Sequence, residues 1–150
     1  MSRQEIVDFL VEHYRTPNNR GALADADVVV PGGNPSCGDV VTIYLKVDPE
    51  HDRVAAVSFE GEGCTISQAA ASVLTEMVQG ATLARIEEMD YNDMMDALGR
   101  EVVQSRPRCA TLALSTLKGA VQRYRSKRER SALLHDAERE GLRGSGSTGR

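Results

Sequence analysis

The sequence lacks tryptophan, and aromatic residues make up only 4% of its 150 residues. Proteins that bind single-stranded nucleic acid stack the bases on aromatic side chains, so this composition argues against a nucleic-acid partner. No stretch approaches the ~20 apolar residues that span a bilayer. The N-terminus also has no apolar run of the signal-peptide type. We therefore expect a cytoplasmic protein with no membrane partner.

Cysteine is scarce as well, with only Cys37, Cys64 and Cys109 in the chain. An odd number without a secretory signal argues against a disulfide framework and favours metal or thiol chemistry. Two other interpretations stay open on the residues alone. Free cysteines can be small buried hydrophobic residues, and dithiol redox enzymes use thiols, although their usual C-x-x-C spacing is absent here.

The remaining composition is that of one globular domain, with 41% hydrophobic and 27% charged residues. Charge is unevenly distributed along the chain. Residues 1–117 carry nine basic and 18 acidic side chains, whereas residues 118–150 carry nine basic and four acidic side chains. We place the domain at residues 1–126. Residues 127–150 are predicted to form a basic helical extension with a disordered Gly/Ser-rich tail from Gly144.

The spacing of apolar residues predicts helices before and after a short antiparallel sheet in the sequence. A capping box of Ser2 and Glu5 starts a first helix that ends near Arg15. Next come an edge strand at 28–30 stopped by Pro31 and a hairpin of strands at 40–47 and 54–60. The later segments are predicted as a helix started by a Thr65 and Gln68 capping box and ended at Gly80, two short helices near 83–89 and 94–98, and a long helix that follows Cys109 and continues to Tyr124.

The loop at residues 34–39 contains the first candidate site. Cys37 and Asp39 are two residues apart at the entry to a strand, so their side chains leave the backbone on the same side and can share one metal ion. Cys64 and Cys109 are each predicted just ahead of a helix N-terminus, where unpaired N–H groups favour the thiolate. Together these residues would make four ligands.

Two arginines flank the third cysteine. Arg106 and Arg108 should lower the pKa of Cys109 further if their guanidinium groups point inward.

Three cysteine motifs then identify a family. They are Asn-Pro-x-Cys-Gly-Asp at 34–39, Gly-x-Gly-Cys-x-x-Ser at 61–67 and Arg-Cys-Ala-x-Leu-Ala at 108–113, and His13-Tyr14-Arg15-x-Pro17 accompanies them. Over about residues 4–126 the chain resembles the IscU/SufU/NifU N-terminal family of iron–sulfur assembly proteins. The resemblance implies an α+β fold, in which a small antiparallel β-sheet packs against several helices. It also implies that Cys37, Asp39, Cys64 and Cys109 hold a zinc ion or anchor a nascent [2Fe-2S] cluster.

Within this family the chain resembles the SufU type most, with one departure. IscU-type scaffolds carry histidine before the third cysteine and a Leu-Pro-Pro-Val-Lys segment upstream, whereas this chain has Arg108 and the sequence of residues 101–107. Its Arg-x-x-Cys-Ala pattern at 106–110 resembles SufU. SufU proteins usually carry an insertion before the third cysteine, and the spacing between Cys64 and Cys109 leaves no room for it.

The resemblance implies a sulfur acceptor. In this hypothesis a SufS-like, pyridoxal-phosphate-dependent cysteine desulfurase delivers persulfide sulfur to Cys37, or alternatively to Cys109, for the downstream iron–sulfur assembly machinery. Arg106 and Arg108 would dock the desulfurase or stabilise a thiolate. The alternative is an IscU-like scaffold that builds a [2Fe-2S] cluster at the same four residues. Asp39 argues against a purely structural zinc module, because structural sites use cysteine and histidine.

Overall fold

The computed structural model of the chain describes residues 2–34 and 38–148. This part of the chain folds into three strands and six helices. In chain order the elements are α1 (Arg3–Arg15), β1 (Val28–Asn34), β2 (Asp39–Asp48), β3 (Arg53–Glu62), α2 (Thr65–Val78), α3 (Leu83–Glu88), α4 (Tyr91–Leu98), α5 (Arg100–Val103) and α6 (Pro107–Thr148). The predicted α+β fold is confirmed.

The sheet is antiparallel, with strand order β1-β2-β3. Ile43 in the central strand pairs with Val30 on one side and Phe59 on the other. One face of β2 is buried at alternate positions, as the sequence pattern predicts; the buried residues are Val41, Ile43, Leu45 and Val47. This face packs against the helices, so the ends of β2 are held rigidly relative to α2 and α6.

Strand β1 is longer than predicted. The sequence indicates a stop at Pro31, but Pro31 pairs with Thr42 and the strand continues to Asn34. Proline is tolerated because β1 lies at the edge of the sheet, where its missing N–H breaks no interior ladder. Gly32 lies so close to α6 that a Cβ there would collide with Thr116. The extra length carries β1 up to Asp39, its last pairing partner in β2.

Helix α2 is the central helix of the core. It is buried on all sides from Ser67 to Thr75, whereas Met77, predicted on its apolar stripe, is exposed. Its N-cap is Cys64, whose Sγ accepts the Ser67 N–H at 3.4 Å. The predicted Thr65 capping box is therefore wrong by one residue, because a thiol took the capping place usually filled by an oxygen.

The small helices complete the core against α2 and α6. Helices α3 and α4 confirm the two predicted short helices, and Met89, Met94 and Met95 are buried as core residues. Helix α5 was not predicted, since four residues are too few to show helical periodicity.

Helix α6 begins at Pro107, so Cys109 lies inside its first turn, not ahead of the helix as predicted. Proline is favoured at the first helical position because its missing N–H has no intrahelical partner there. Arg125 fixes α6 to the body through ion pairs with Asp52 and Glu87. The backbone is helical to Thr148, where the composition predicts a disordered tail. The domain boundary at residue 126 stays a prediction.

No helix within the described ranges combines the length and the apolar character needed to cross a bilayer.

Candidate metal centre

Three elements bring a carboxylate and two thiols together at one end of the sheet. Asp39 is the first residue of β2, Cys64 caps α2 and Cys109 lies in the first turn of α6. One ligand atom from each residue lies within 4.8 Å of the other two, and all three residues are partly buried. The fourth residue predicted for the site, Cys37, lies outside the described residues.

Asp39 is held by two donors on one oxygen and contacts the Cys109 thiol with the other. Its Oδ1 accepts the Cys64 N–H and the Ser67 hydroxyl, both at 2.9 Å. Its Oδ2 accepts the Cys109 thiol at 3.5 Å. Hydrogen bonds to the ionised form, above all from the Cys64 backbone, hold the pKa of the Asp39 carboxyl below its usual range. Asp39 therefore presents a fixed, charged oxygen towards the two sulfurs.

The predicted lowering of the Cys109 pKa is wrong. Burial, the neighbouring Cys64 thiol and the Asp39 charge raise the pKa of Cys109 to about 12. Arg108, whose guanidinium was expected to lower it, is exposed and lines a cavity beside the thiol. Arg106 is also exposed and lines a recess with Cys64. Solvent screens such exposed charges, so burial and the neighbouring Cys64 and Asp39 groups dominate.

The donor types, and the spacing of one pair of ligand atoms, fit zinc. Zinc takes thiolates at about 2.3 Å and carboxylate oxygens at about 2.1 Å in a tetrahedron, which places a sulfur and an oxygen ligand about 3.6 Å apart. The observed 3.5 Å between Cys109 Sγ and Asp39 Oδ2 matches that spacing. A cation between these groups would also offset the mutual repulsion that raises the pKa of Cys109. Asp39, Cys64 and Cys109 would therefore hold the ion.

A cavity of ≈ 410 Å³ opens beside the site on its α6 side. Its lining includes Cys109 and Asp39 at one end, and the other lining residues are Gly33, Arg108, Thr111, Leu112 and Ser115. Cavities of this size admit a small ligand or a partner's side chain. The cavity gives an incoming group a route to the Cys109 thiol.

Gly63 is needed for the close approach of Asp39 to α2. Its φ is +151°, and a Cβ there would collide with Asp39 Oδ1 and lie 2.7 Å from Ser67 Oγ. We expect Gly63→Ala to destabilise the fold by about 2–5 kcal/mol, through backbone strain and overpacking together. Urea unfolding would measure this.

Gly21→Ala is the matched control, because Gly21 has a φ of +131° but, apart from its chain neighbours, no atom of the described residues lies within 4 Å of the added Cβ. Gly21→Ala should lose only the part of the stability that backbone strain costs, because its Cβ meets no neighbouring atom. Equal losses in the two variants would contradict the close approach at Gly63.

Sequence reasoning did not single out two site residues, Ser67 and Gln68. Ser67 donates to Asp39, and the Gln68 amide donates in turn to Ser67 Oγ at 3.3 Å. The sequence signal that could have found Ser67 is its position three residues after Cys64, because the third residue of a helix faces the N-cap.

Comparison with known proteins places the chain in a family. A family model described as the NifU-like N terminal domain matches residues 5–131. The chain belongs to this family. The match covers the described helices and strands except the first two residues of α1 and the distal part of α6.

Relatives of this NifU-like chain carry different descriptions, among them a cluster scaffold and a sulfurtransferase. The iron–sulfur cluster assembly scaffold protein IscU of Aquifex aeolicus is 37% identical over 121 residues, covering 81% of this chain and 76% of that protein. The zinc-dependent sulfurtransferase SufU of Bacillus subtilis is 34% identical over 129 residues, covering 75% of this chain and 86% of that protein. A candidate iron–sulfur cluster assembly scaffold for the SUF system from Fervidobacterium islandicum has a similar structure, with a TM-score of 0.62 and 29% identity. The match covers 80% of this chain and 99% of that chain.

Proposed function

We propose that this chain serves iron–sulfur cluster assembly as a zinc-dependent acceptor of persulfide sulfur from a cysteine desulfurase. The convergence of Asp39, Cys64 and Cys109 at zinc-like spacing is the observation that carries the proposal. The relationship to SufU, a zinc-dependent sulfurtransferase, supports it.

Cys37 is the proposed fourth ligand. It is two residues from Asp39 in the chain, and two residues span at most about 7 Å. Strands β1 and β2 pair as far as Asn34 and Asp39, so only a four-residue connection separates the paired ends. A connection this short would allow Cys37 to reach the same ion as Asp39.

Zinc would keep the thiols deprotonated and mask them until a partner displaces one ligand. The released thiolate then attacks the outer sulfur of the desulfurase persulfide. A new sulfur–sulfur bond forms on this chain, the persulfide bond of the desulfurase breaks, and the desulfurase cysteine leaves as a thiolate. Asp39 would be the harder and weaker ligand, which would make the site labile.

Cys37 is the first choice of acceptor and Cys109 the alternative. Cys109 is partly buried, and its raised pKa means that little thiolate is present without a metal. That favours the cysteine of the loop as the attacking group.

The desulfurase would dock at the end of the molecule that carries the site. Arg106 and Arg108 are exposed and line the recesses next to Cys64 and Cys109 respectively. We propose that they contact acidic groups of a SufS-like, pyridoxal-phosphate-dependent desulfurase or stabilise a thiolate during transfer. The accepted sulfur would then pass to the downstream iron–sulfur assembly machinery.

A cluster scaffold is the second candidate. The relationship to IscU at 37% identity favours it, as does the short spacing between Cys64 and Cys109. In that case the same four residues would anchor iron and sulfide as a [2Fe-2S] cluster, and Cys109 would be the first to carry persulfide.

Metal analysis combined with a desulfurase assay tests the proposal. We expect about one zinc per chain and stimulation of desulfurase turnover that chelation abolishes. Cys37→Ala should lose the stimulation, whereas Ser115→Ala, an exposed change in the same cavity, should retain it. Full stimulation by both Cys37→Ala and Cys109→Ala would contradict an acceptor role. A stable, transferable cluster after anaerobic reconstitution would instead support the scaffold.

A further inference from the structure

Ser67 has one hydroxyl proton and two acceptors for it. The side chain is fully buried, and its Oγ lies 2.9 Å from Asp39 Oδ1 and 3.1 Å from the carbonyl oxygen of Cys64. A proton given to the Cys64 carbonyl would leave Asp39 Oδ1 with the Cys64 N–H alone. The direction of this hydroxyl therefore decides how firmly the carboxylate is held.

Gln68 contacts Ser67 from the core side. Its side chain is 3% exposed, and its Nε2 donates to Ser67 Oγ at 3.3 Å. Its Oε1 is buried and has no hydrogen-bond partner among the described residues. A buried oxygen without a partner destabilises a protein, and native proteins keep few of them. Leucine or methionine would fill the same place on α2 without that cost.

The orientation of the amide explains the orphaned oxygen. With Nε2 towards Ser67, an amide hydrogen occupies an Oγ lone pair, and the serine proton stays available to Asp39 Oδ1, the nearer of its two acceptors. The reverse orientation would place Oε1 against Ser67 Oγ and draw the hydroxyl proton away from the carboxylate. The arrangement that orphans Oε1 is the one that completes the hydrogen bonds of Asp39.

We propose that Ser67 and Gln68 are positioning residues for the metal centre, and that Gln68 is kept at a cost in fold stability because it orients the Ser67 hydroxyl onto Asp39. The two donors fix Oδ1 and so aim Oδ2 at the ion. Groups that orient metal ligands in this way contribute strongly to metal affinity. The inference rests on the proposed zinc site.

Three variants of the full-length protein test it. Ser67→Ala removes the donor to Asp39, and Gln68→Met removes the amide while keeping a flexible side chain of similar length. Ser72→Ala is the matched control, because Ser72 is also fully buried on α2 but bonds His13 and Asn18 instead. The readouts are the rate of zinc release to a chromophoric chelator and the melting temperature of the chelated protein.

We expect Ser67→Ala to weaken zinc binding by about 10- to 100-fold and to release zinc correspondingly faster. Gln68→Met should release zinc faster too, yet melt roughly 2–4 °C higher, because the orphaned oxygen is gone. Ser72→Ala should melt lower and release zinc at the wild-type rate. A purely structural role for Gln68 would not make Gln68→Met both more stable and faster to release zinc.

Zinc release at the wild-type rate from both Ser67→Ala and Gln68→Met would overturn the inference and leave the proposed zinc site intact. If Ser67→Ala does not fold, Gln68→Met decides alone. A lower melting temperature for Gln68→Met would also overturn the inference, since the amide would then stabilise the fold. If the wild-type protein binds no zinc, the proposed function fails and this inference fails with it.

Discussion

Replacing Cys109 with serine is expected to lower zinc affinity by roughly 100- to 1,000-fold. Structural zinc sites gain about 10–16 kcal/mol from four ligands acting together, so each thiolate accounts for several kcal/mol. Cys109 lies 3.5 Å from Asp39 Oδ2 and within 4.8 Å of the Cys64 sulfur, which gives it a direct place in the proposed coordination. Competition titration against a chelator of known affinity measures the change.

Ser115→Ala serves as the control for this loss. Ser115 is exposed on the same helix and lines the same cavity, but it is not among the ligand atoms that converge. Zinc affinity should be unchanged in this variant. Equal affinity in Cys109→Ser and wild type would remove Cys109 from the site and leave the remaining residues short of a tetrahedral set.

Zinc affinity is expected to rise with pH, and to keep rising above pH 9. Each thiol that must lose a proton to bind zinc contributes about tenfold in affinity per pH unit. An ordinary thiol stops contributing above its pKa of about 8.5. The pKa of Cys109 is raised to about 12, so its proton must still be displaced at pH 10. Asp39 adds nothing in this range, because its lowered pKa keeps it ionised.

The measurement is a series of chelator competitions from pH 6 to pH 10. Between pH 9 and pH 10 the wild-type protein should still gain about tenfold in affinity, because Cys109 must still lose its proton to bind zinc. The Cys109→Ser protein, which lacks this proton, should gain less over that interval. A wild-type curve that levels off near pH 8.5 would show that Cys109 is an ordinary thiol, contrary to its burial beside Asp39 and Cys64.

Local chemistry was enough to predict several elements from the sequence. The capping box of Ser2 and Glu5 starts α1 as expected, because both partners lie within one helical turn. The alternation from Val41 to Val47 predicts the buried face of β2, since side chains on a strand alternate between faces. These features depend only on neighbouring residues.

Features that depend on tertiary neighbours could not be predicted in the same way. The continuation of β1 past Pro31 depends on that strand being at an edge, and an edge is a property of the assembled sheet. The raised pKa of Cys109 depends on Cys64 and Asp39, which are distant in sequence, while the adjacent Arg108 is exposed. Sequence neighbours were therefore a poor guide to the electrostatics of the site.

The convergence of Cys64 and Cys109 on Asp39 was predicted from cysteine placement and from the family motifs, and periodicity alone left other uses of the thiols open. Neither the family motifs nor hydrophobic periodicity could predict the orphaned oxygen of Gln68. Its significance depends on which atom of a buried amide faces Ser67, and that is fixed only when β2 and α2 pack together.

X-ray absorption at the zinc K-edge of the purified protein tests the central claim most directly. If three thiolates and the Asp39 carboxylate share one ion, the zinc should have three sulfur neighbours near 2.3 Å and one oxygen near 2.0 Å. Protein that contains no zinc, or zinc surrounded only by nitrogen and oxygen, would contradict the account.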